Sequence, residues 1–162
     1  MKALIQENVP LAPLTSFGIG GPARYFVGAF DEETVFHAVQ WAKQKNVGLF
    51  VLGGGSNLLV ADAGFQGLVI KLRLHGIEWT NNNGKAIVAA RAGENWDRLV
   101  ESAVGRDLAG IECLSGIPGS VGGTPVQNVG AYGQEVSEVI IGVRAYDRNA
   151  DRIVELSKEV WG

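Results

Sequence analysis

The sequence predicts an α+β protein made of two α/β lobes, and three observations support this fold class. The chain has 162 residues, of which 46% are hydrophobic and 19% charged, which is enough for one ordinary domain or two small lobes that share a cleft. A helix and two buried strands are predicted within residues 31–72, and hairpin patterns follow residue 73. We therefore expect a first lobe at residues 1–72 and a second at residues 73–162.

The first lobe contains one clear helix and two buried strands. Asp31 is a good N-cap, and apolar residues then recur at helical spacing until about Asn46. The apolar run of residues 48–52 and the run Leu-Val-Ile-Lys-Leu at residues 68–72 each predict a strand. Together these elements favour an α/β unit.

The second lobe opens with a β-hairpin. Residues 83–84 are Asn-Gly, a strong hairpin signal, and they lie between strand-like runs at residues 76–80 and 85–90. A helix is expected to begin at residues 94–95 and to end within the turn-rich residues 105–110. This change of pattern is the reason for placing a second lobe here.

A second hairpin is expected near the end of the chain. Its strands are predicted at residues 139–146 and 152–156, and its turn at residues 149–151. The aromatic residues fall mainly on core faces or strand surfaces, so we interpret the tryptophans as packing residues: Trp41, Trp79, Trp96 and Trp161.

Charge and cysteine content limit the classes of partner. The formal net charge is −3 and no run of lysine or arginine occurs, which argues against nucleic acid or an anionic membrane as the main partner. No apolar stretch approaches the roughly 20 residues that span a bilayer, and the first residues do not resemble a signal peptide. The single cysteine, Cys113, allows no internal disulfide. We therefore expect a cytoplasmic protein.

Two glycine-rich loops are the most informative feature of the chain. The first is Gly-Gly-Gly-Ser-Asn at residues 53–57, directly after a predicted strand, and the second spans residues 116–125. Glycines without Cβ atoms let backbone N–H groups approach an anion closely. The loops therefore predict binding of one elongated ligand that carries phosphate. The alternative is that these glycines only mark turns and caps.

Several common motifs are absent. Neither loop contains the lysine of a P-loop, the first loop lacks the Rossmann spacing, and Leu58 replaces the last glycine of a nucleophile elbow. His37 and His75 are interpreted as surface or rim residues, and the chain is poorly supplied with metal ligands. Arg24 is either a contact for an anionic ligand or part of a structural salt bridge.

Four stretches together resemble one family, UDP-N-acetylenolpyruvoylglucosamine reductase, a flavoenzyme of bacterial peptidoglycan synthesis. They read Leu-Thr-Ser-Phe-Gly-Ile-Gly-Gly-Pro-Ala at residues 14–23, Leu-Gly-Gly-Gly-Ser-Asn-Leu-Leu at 52–59, Ala-Gly-Glu-Asn-Trp at 92–96 and Gly-Ile-Pro-Gly-Ser-Val-Gly-Gly-Thr-Pro-Val-Gln-Asn-Val-Gly-Ala-Tyr-Gly at 116–133. Each stretch is unspecific alone, but their order and spacing cover nearly the whole chain.

The resemblance implies two α/β lobes that hold FAD between them, as in flavoproteins of the vanillyl-alcohol-oxidase (PCMH) type. It also implies a noncovalent cofactor, because no histidine lies between Gly53 and Asn57. Tyr132 would face the substrate. The cofactor-binding residues implied by the resemblance are Gly53, Gly54, Gly55, Ser56, Asn57, Leu58, Ile117, Pro118, Gly119, Gly122, Gly123, Thr124, Asn128, Gly130 and Ala131.

In this family NADPH reduces FAD, and the reduced flavin passes hydride to UDP-N-acetylglucosamine enolpyruvate. An arginine and a glutamate stabilise the enolate, and a serine supplies a proton. The sequence offers no candidate for these three groups, so we assign no catalytic residue and leave Arg144, Arg148 and Arg152 as solvated strand residues. The chain therefore resembles the FAD-binding portion of the reductase, without the C-terminal substrate-binding domain, and is expected to be inactive alone.

Two other functions stay open at this point. The chain is alternatively a noncatalytic binding module on a flavin-binding fold, or another oxidoreductase that binds FAD noncovalently. Flavin content distinguishes the first of these from the reductase, and oxidation of NADPH with and without the enolpyruvyl substrate distinguishes the second. The sequence does not indicate an oligomeric state.

Overall fold

The computed structural model describes residues 4–158. Its first strands and helix are β1 Gln6–Pro10, β2 Pro22–Ala29, α1 Glu32–Lys45, β3 Leu49–Leu52 and β4 Phe65–Leu72. The strands form one sheet in the order β1-β2-β4-β3, in which β1 is antiparallel to β2 and the other pairings are parallel. The carboxyl ends of β2, β3 and β4 therefore share one edge, the edge at which α/β sheets usually bind ligands.

Helix α1 begins and ends where its sequence predicts. The Asp31 carboxylate accepts a hydrogen bond from the Thr34 N–H at 2.7 Å, and this satisfies one of the free donors of the first turn. Asn46 ends the helix in the left-handed conformation, with φ of 52°, which asparagine tolerates better than most residues. The face containing Ala38 and Ala42 is buried in the core formed with the sheet.

The second lobe is built from shorter elements. They are β5 Ile77–Asn82, β6 Lys85–Ala90, α2 Trp96–Val104, α3 Thr124–Gln127, β7 Gly130–Ala131, β8 Gln134–Glu135, α4 Val136–Val139, β9 Gly142–Asp147 and β10 Arg152–Ser157. Strands β5 and β6 form the predicted hairpin, and Asn83 and Gly84 both have positive φ, as a tight hairpin turn requires. Leu99 and Val100 of α2 pack on Leu114 in a core of their own.

The hairpin of β9 and β10 folds back onto α1. The Arg144 guanidinium pairs with Glu32, and the Lys43 ammonium pairs with Asp151. The Tyr146 ring also packs edge-on against Phe36, with ring centroids 6.1 Å apart. We refer to this hairpin and its ionic contacts with α1 as the clasp. It joins residues that lie more than a hundred positions apart in the chain.

Several expectations are corrected by the structure. Strand β2 was not predicted, although it is the strand between β1 and β4. Residues 136–139 are helical, so the last hairpin begins at Gly142 rather than at Val139; the side chains of Glu135 and Glu138 form a capping box that favours this helical turn. The helical spacing of the apolar residues Trp96, Leu99, Val100 and Ala103 also predicts Val104 on the buried face of α2, but Val104 is 50% exposed.

The tryptophans that the structure describes are packing residues. Trp96 is buried, and Trp41 and Trp79 pack against the cores, as interpreted from the sequence. Trp161 lies outside the described residues. Within residues 4–158, no helix is long and apolar enough to cross a membrane.

Candidate functional site

The first glycine-rich loop, residues 53–57, follows β3 at the carboxyl edge of the sheet. Gly55 is buried with φ of 79°, and a Cβ there would lie 2.0 Å from the Leu14 carbonyl oxygen. The Gly55 carbonyl in turn accepts a hydrogen bond from the Ser16 N–H at 3.0 Å. Glycine at position 55 is therefore required by the packing of the loop on residues 14–16.

The second glycine-rich loop packs directly on the first. A Cβ on Gly54 would lie 2.6 Å from the Gly119 Cα atom, so the two backbones are in contact. The Ser56 hydroxyl donates to the Pro118 carbonyl oxygen at 2.9 Å, and the Asn57 side-chain amide donates to Gln127 at 3.2 Å. The structure thus brings together two loops that lie about sixty residues apart in the sequence.

Unpartnered hydrogen-bond donors are concentrated where these loops meet. Within residues 4–158, the backbone N–H groups of residues 54–57 and of Gly119 and Ser120 donate to no protein acceptor. The Ser120 hydroxyl is buried and also has no partner. Because buried polar groups are almost always hydrogen-bonded, a hydroxyl without a partner next to free N–H groups indicates a place for an anionic ligand. We call this set of groups the cradle.

A cleft of about 310 Å³ opens at the cradle. Its lining includes Gly53, Gly54, Gly119 and Ser120 of the two loops. It also includes Lys71, near the end of β4, and the exposed residues Arg73 and His75 that follow this strand. Burial and, to a smaller extent, the nearby Arg73 charge lower the pKa of the Lys71 ammonium. Lys71 and Arg73 give the cleft a basic wall even though the whole chain is negatively charged.

One carboxylate, Glu94, also lines this cleft. It accepts a hydrogen bond from the Gly76 N–H at 2.6 Å and lies 3.6 Å from the His75 ring nitrogen Nδ1. Glu94 is thus already bound to its own neighbours. His75 was interpreted as a rim residue, and the structure places it on the wall of the cleft.

A second, open cavity of about 780 Å³ is lined by Ile117 and by residues between Gln127 and Glu138. Four of the predicted residues line it: Ile117, Asn128, Gly130 and Ala131. The Asn128 side chain is held in place, since it donates to Glu135 at 2.7 Å and accepts from the Ser137 N–H at 3.2 Å. This cavity combines an apolar wall with fixed amide and carboxylate groups, as sites for small organic ligands usually do.

Other predicted residues have contacts within the protein. Thr124 is 4% exposed and donates to the Val121 carbonyl oxygen at 2.8 Å. A Cβ on Gly122 would lie 2.6 Å from that of Ala92, while the Gly123 N–H donates to the Ser120 carbonyl. Leu58 packs against the core of the first sheet. In the described residues these groups shape the second loop and its surroundings.

Tyr132, the predicted substrate residue, lies in the tight turn between β7 and β8. Tyr132 is 92% exposed, and both Tyr132 and Gly133 have positive φ. A tyrosine in this conformation is uncommon. Its ring is therefore held out from the protein surface, beside the second cavity that Ala131 and Gly133 line.

Residues of α2 hold the second loop in place. The Asp97 carboxylate accepts hydrogen bonds from the Gly116 N–H at 2.7 Å and the Ser115 hydroxyl at 2.9 Å. These bonds, the one from Gly116 first, lower the pKa of Asp97. The buried Trp96 ring donates its indole N–H to the Leu114 carbonyl oxygen at 2.9 Å. Helix α2 thus anchors the second loop at its first residues.

Sequence reasoning missed three groups of the cleft: Lys71, Arg73 and Ser120. Lys71 was visible only as the one charged residue in an otherwise apolar strand pattern, and Ser120 as a small polar residue inside a glycine-rich run. Arg24, by contrast, lies outside the cleft lining, and its guanidinium lies 5.1 Å from the centre of the Tyr25 ring.

A family comparison matches the part of the chain that contains this site. The sequence model of a family described as FAD binding domain matches residues 23–157. The chain belongs to this family. Both glycine-rich loops, Lys71 and Ser120 lie inside the matched range, so the family's match includes the cradle and both cavities.

Curated relatives confirm the resemblance seen in the sequence. The chain is 44% identical to the UDP-N-acetylenolpyruvoylglucosamine reductase of Thermobifida fusca over all of its own length and 46% of that protein. It is 47% identical to the reductase of Saccharopolyspora erythraea, over 94% of the chain and 42% of that protein. The chain thus spans less than half the length of these relatives.

Solved structures confirm the predicted fold class, two α/β lobes of the vanillyl-alcohol-oxidase (PCMH) type. The UDP-N-acetylenolpyruvylglucosamine reductase of Thermus caldophilus has a TM-score of 0.77 and 28% identity, covering 96% of this chain and 54% of that one. A solvent-stable cholesterol oxidase has a TM-score of 0.67 at 16% identity, covering 94% of this chain and 32% of that one. The second likeness concerns the fold alone.

Proposed function

We propose that this chain binds FAD noncovalently, with the diphosphate of the cofactor on the cradle. The observation that carries the proposal is the meeting of the two glycine-rich loops, where six backbone N–H groups and the buried Ser120 hydroxyl have no acceptor among residues 4–158. Such donors neutralise phosphate without a large net positive charge. The residues present therefore fit the diphosphate of a dinucleotide.

The remaining parts of the cofactor are assigned to the predicted residues around the second loop. Ile117, Asn128, Gly130 and Ala131 line the larger cavity, and we propose that they surround the flavin. Thr124 and Gly122 support them through the packing of the loop. Tyr132, exposed beside this cavity, is the proposed contact for substrate.

We further propose that the chain is the FAD-binding part of an NADPH-dependent reductase that forms UDP-N-acetylmuramate. The substrate would be UDP-N-acetylglucosamine enolpyruvate, and the pathway would be peptidoglycan synthesis. Through this pathway the reductase would contribute to cell wall formation, cell shape and cell division. We propose that it acts in the cytoplasm. When bound, FAD supplies hydride transfer. This chain's residues bind and orient the cofactor, and no catalytic arginine, serine or glutamate is assigned among them.

The contacts of the clasp support a structural role, and not a catalytic one, for Arg144 and Arg148. Arg144 pairs with Glu32, and the backbone carbonyl of Arg148 accepts a hydrogen bond from Lys43 at 2.6 Å. These residues therefore have contacts that hold the hairpin on α1. We propose lobes at residues 1–72 and 73–162, with the cleft of the cradle formed by residues from both.

The experiment that tests the proposed function is the visible absorption spectrum of the purified chain, before and after addition of FAD and desalting. A retained flavin band, released intact by denaturation, is the expected result. Reduction of the bound FAD by NADPH, without turnover of the enolpyruvyl substrate, would support the reductase fragment over another flavin oxidoreductase. A folded chain that retains no flavin at any FAD concentration would contradict the proposal and favour a noncatalytic module.

A further inference from the structure

Lys71 occupies an unusual position in the first sheet. It follows the fully buried residues Leu68, Val69 and Ile70 in β4, and it lies in register opposite Leu52, the last residue of β3. Its side chain is partly buried, and the ammonium group donates a hydrogen bond to the carbonyl oxygen of Gly53. Lys71 thus contacts the Gly53–Gly54 peptide, the first of the glycine-rich loop.

This hydrogen bond determines the direction of a donor in the cradle. In a trans peptide the carbonyl oxygen and the next N–H point in opposite directions, and no cis peptide occurs among the described residues. Holding the Gly53 carbonyl on Lys71 therefore turns the Gly54 N–H away from Lys71. Because glycine is conformationally permissive, this hydrogen bond adds a direct restraint on the peptide to the packing of Gly54 on Gly119.

The charge of Lys71 is also uncompensated. Within residues 4–158 no carboxylate pairs with it, and the nearest charged groups that line the cleft are Arg73, His75 and Glu94. Glu94 already accepts from Gly76 and lies beside His75. A partly buried cation without a partner is costly, and an anion beside it would offset that cost.

We propose that Lys71 is both the positioning residue of the Gly53–Gly54 peptide and the countercharge for a diphosphate held on the cradle. The inference rests on the proposed function and deepens it, because it assigns the recognition of charge to a side chain outside the two glycine-rich loops. Because the Gly54 N–H points away from Lys71, the charge of Lys71 would act on the diphosphate across the Gly53–Gly54 peptide, and Arg73 lines the same cleft.

The test compares Lys71→Met with Lys71→Arg, using Lys85→Met as the control. Lys85 is an exposed lysine of the β5–β6 hairpin, and it does not line the cleft. We expect Lys71→Met to weaken FAD binding at least tenfold and to reduce the salt dependence of the affinity. Lys71→Arg, which keeps the charge and can still donate, should stay within about threefold of wild type, and Lys85→Met should be unchanged.

Inorganic pyrophosphate is the second probe, and it separates this inference from the proposed function. If wild type binds pyrophosphate and Lys71→Met binds it at least tenfold more weakly, the inference stands even if FAD does not bind. If Lys71→Met is folded and binds both probes with wild-type affinity and salt dependence, the inference is overturned. Should Lys71→Met not fold, lysine-selective NMR of the wild-type chain decides: the Lys71 signal must shift on addition of pyrophosphate, and an unshifted signal overturns the inference.

Discussion

Replacement of Gly54 by alanine tests the contact on which the cradle depends. The added Cβ would lie 2.6 Å from the Gly119 Cα, 2.9 Å from the Gly119 carbonyl carbon and 3.1 Å from the Ser120 nitrogen. All three atoms belong to backbone, so no side chain can rotate away. Since carbon atoms pack at about 3.5–4.0 Å, the two loops must separate by roughly 1 Å.

The expected loss of affinity follows from this separation. A hydrogen bond to a charged group contributes about 1.5–3 kcal/mol, and a shift of roughly 1 Å is enough to lose at least one such bond from either loop. One lost bond corresponds to a roughly tenfold to hundredfold weaker affinity for FAD. Overpacking itself should lower the free energy of unfolding by about 1–3 kcal/mol.

The assay is a fluorescence titration of the apoprotein with FAD, combined with thermal unfolding followed by circular dichroism. Gly142→Ala is the matched control, because a Cβ there meets its nearest atom at 3.5 Å, an ordinary contact. That control should bind FAD as wild type does. A folded Gly54→Ala protein with wild-type affinity would refute the reasoning, since it would show that the two loops need not be in contact for binding.

Three further predictions concern single groups. Ser120→Ala should weaken FAD binding at least tenfold without lowering the melting temperature, because the hydroxyl has no partner in the protein to lose; a titration and a melting curve measure both. Trp96→Phe should lower the free energy of unfolding by about 1–3 kcal/mol, as it leaves the buried Leu114 carbonyl without its donor, and urea unfolding would detect this loss. The lowered pKa of Asp97 gives stability that is present above its ordinary value of 3.8 and is lost as the pH falls through the lower pKa of the folded state. Asp97→Asn should therefore flatten the fall in stability below about pH 4, and an unchanged slope in urea unfolding at several pH values would exclude that role.

Local chemistry explains the elements that could be predicted from the sequence. Asp31 and Asn95 both cap helices through side-chain oxygens, at 2.7 Å from the Thr34 nitrogen and 3.0 Å from the Arg98 nitrogen. The Asn-Gly turn of the β5–β6 hairpin depends on only two residues. Signals of this kind require no knowledge of distant parts of the chain.

Strand β2, which was not predicted, is packed on both of its faces. Strand β2 lies inside the sheet and buries residues on both of its faces, including Ala23, Phe26 and Val27, so the alternation typical of a half-buried strand is absent. For the site, each glycine-rich loop was visible in the sequence. Their contact through Gly54 and Gly119, and the hydrogen bond from Lys71 to the Gly53 carbonyl oxygen, could be seen only in the fold.

The clasp has a consequence for the order in which the protein can fold during synthesis. The ion pair of Lys43 with Asp151 cannot form until Asp151, 108 positions further along the chain, has been synthesised. At typical rates of about 5–20 residues per second, this delay is on the order of 5–20 s. Helix α1 therefore leaves the ribosome long before its ionic partners exist, and the first lobe acquires its full set of contacts only after most of the second has been made.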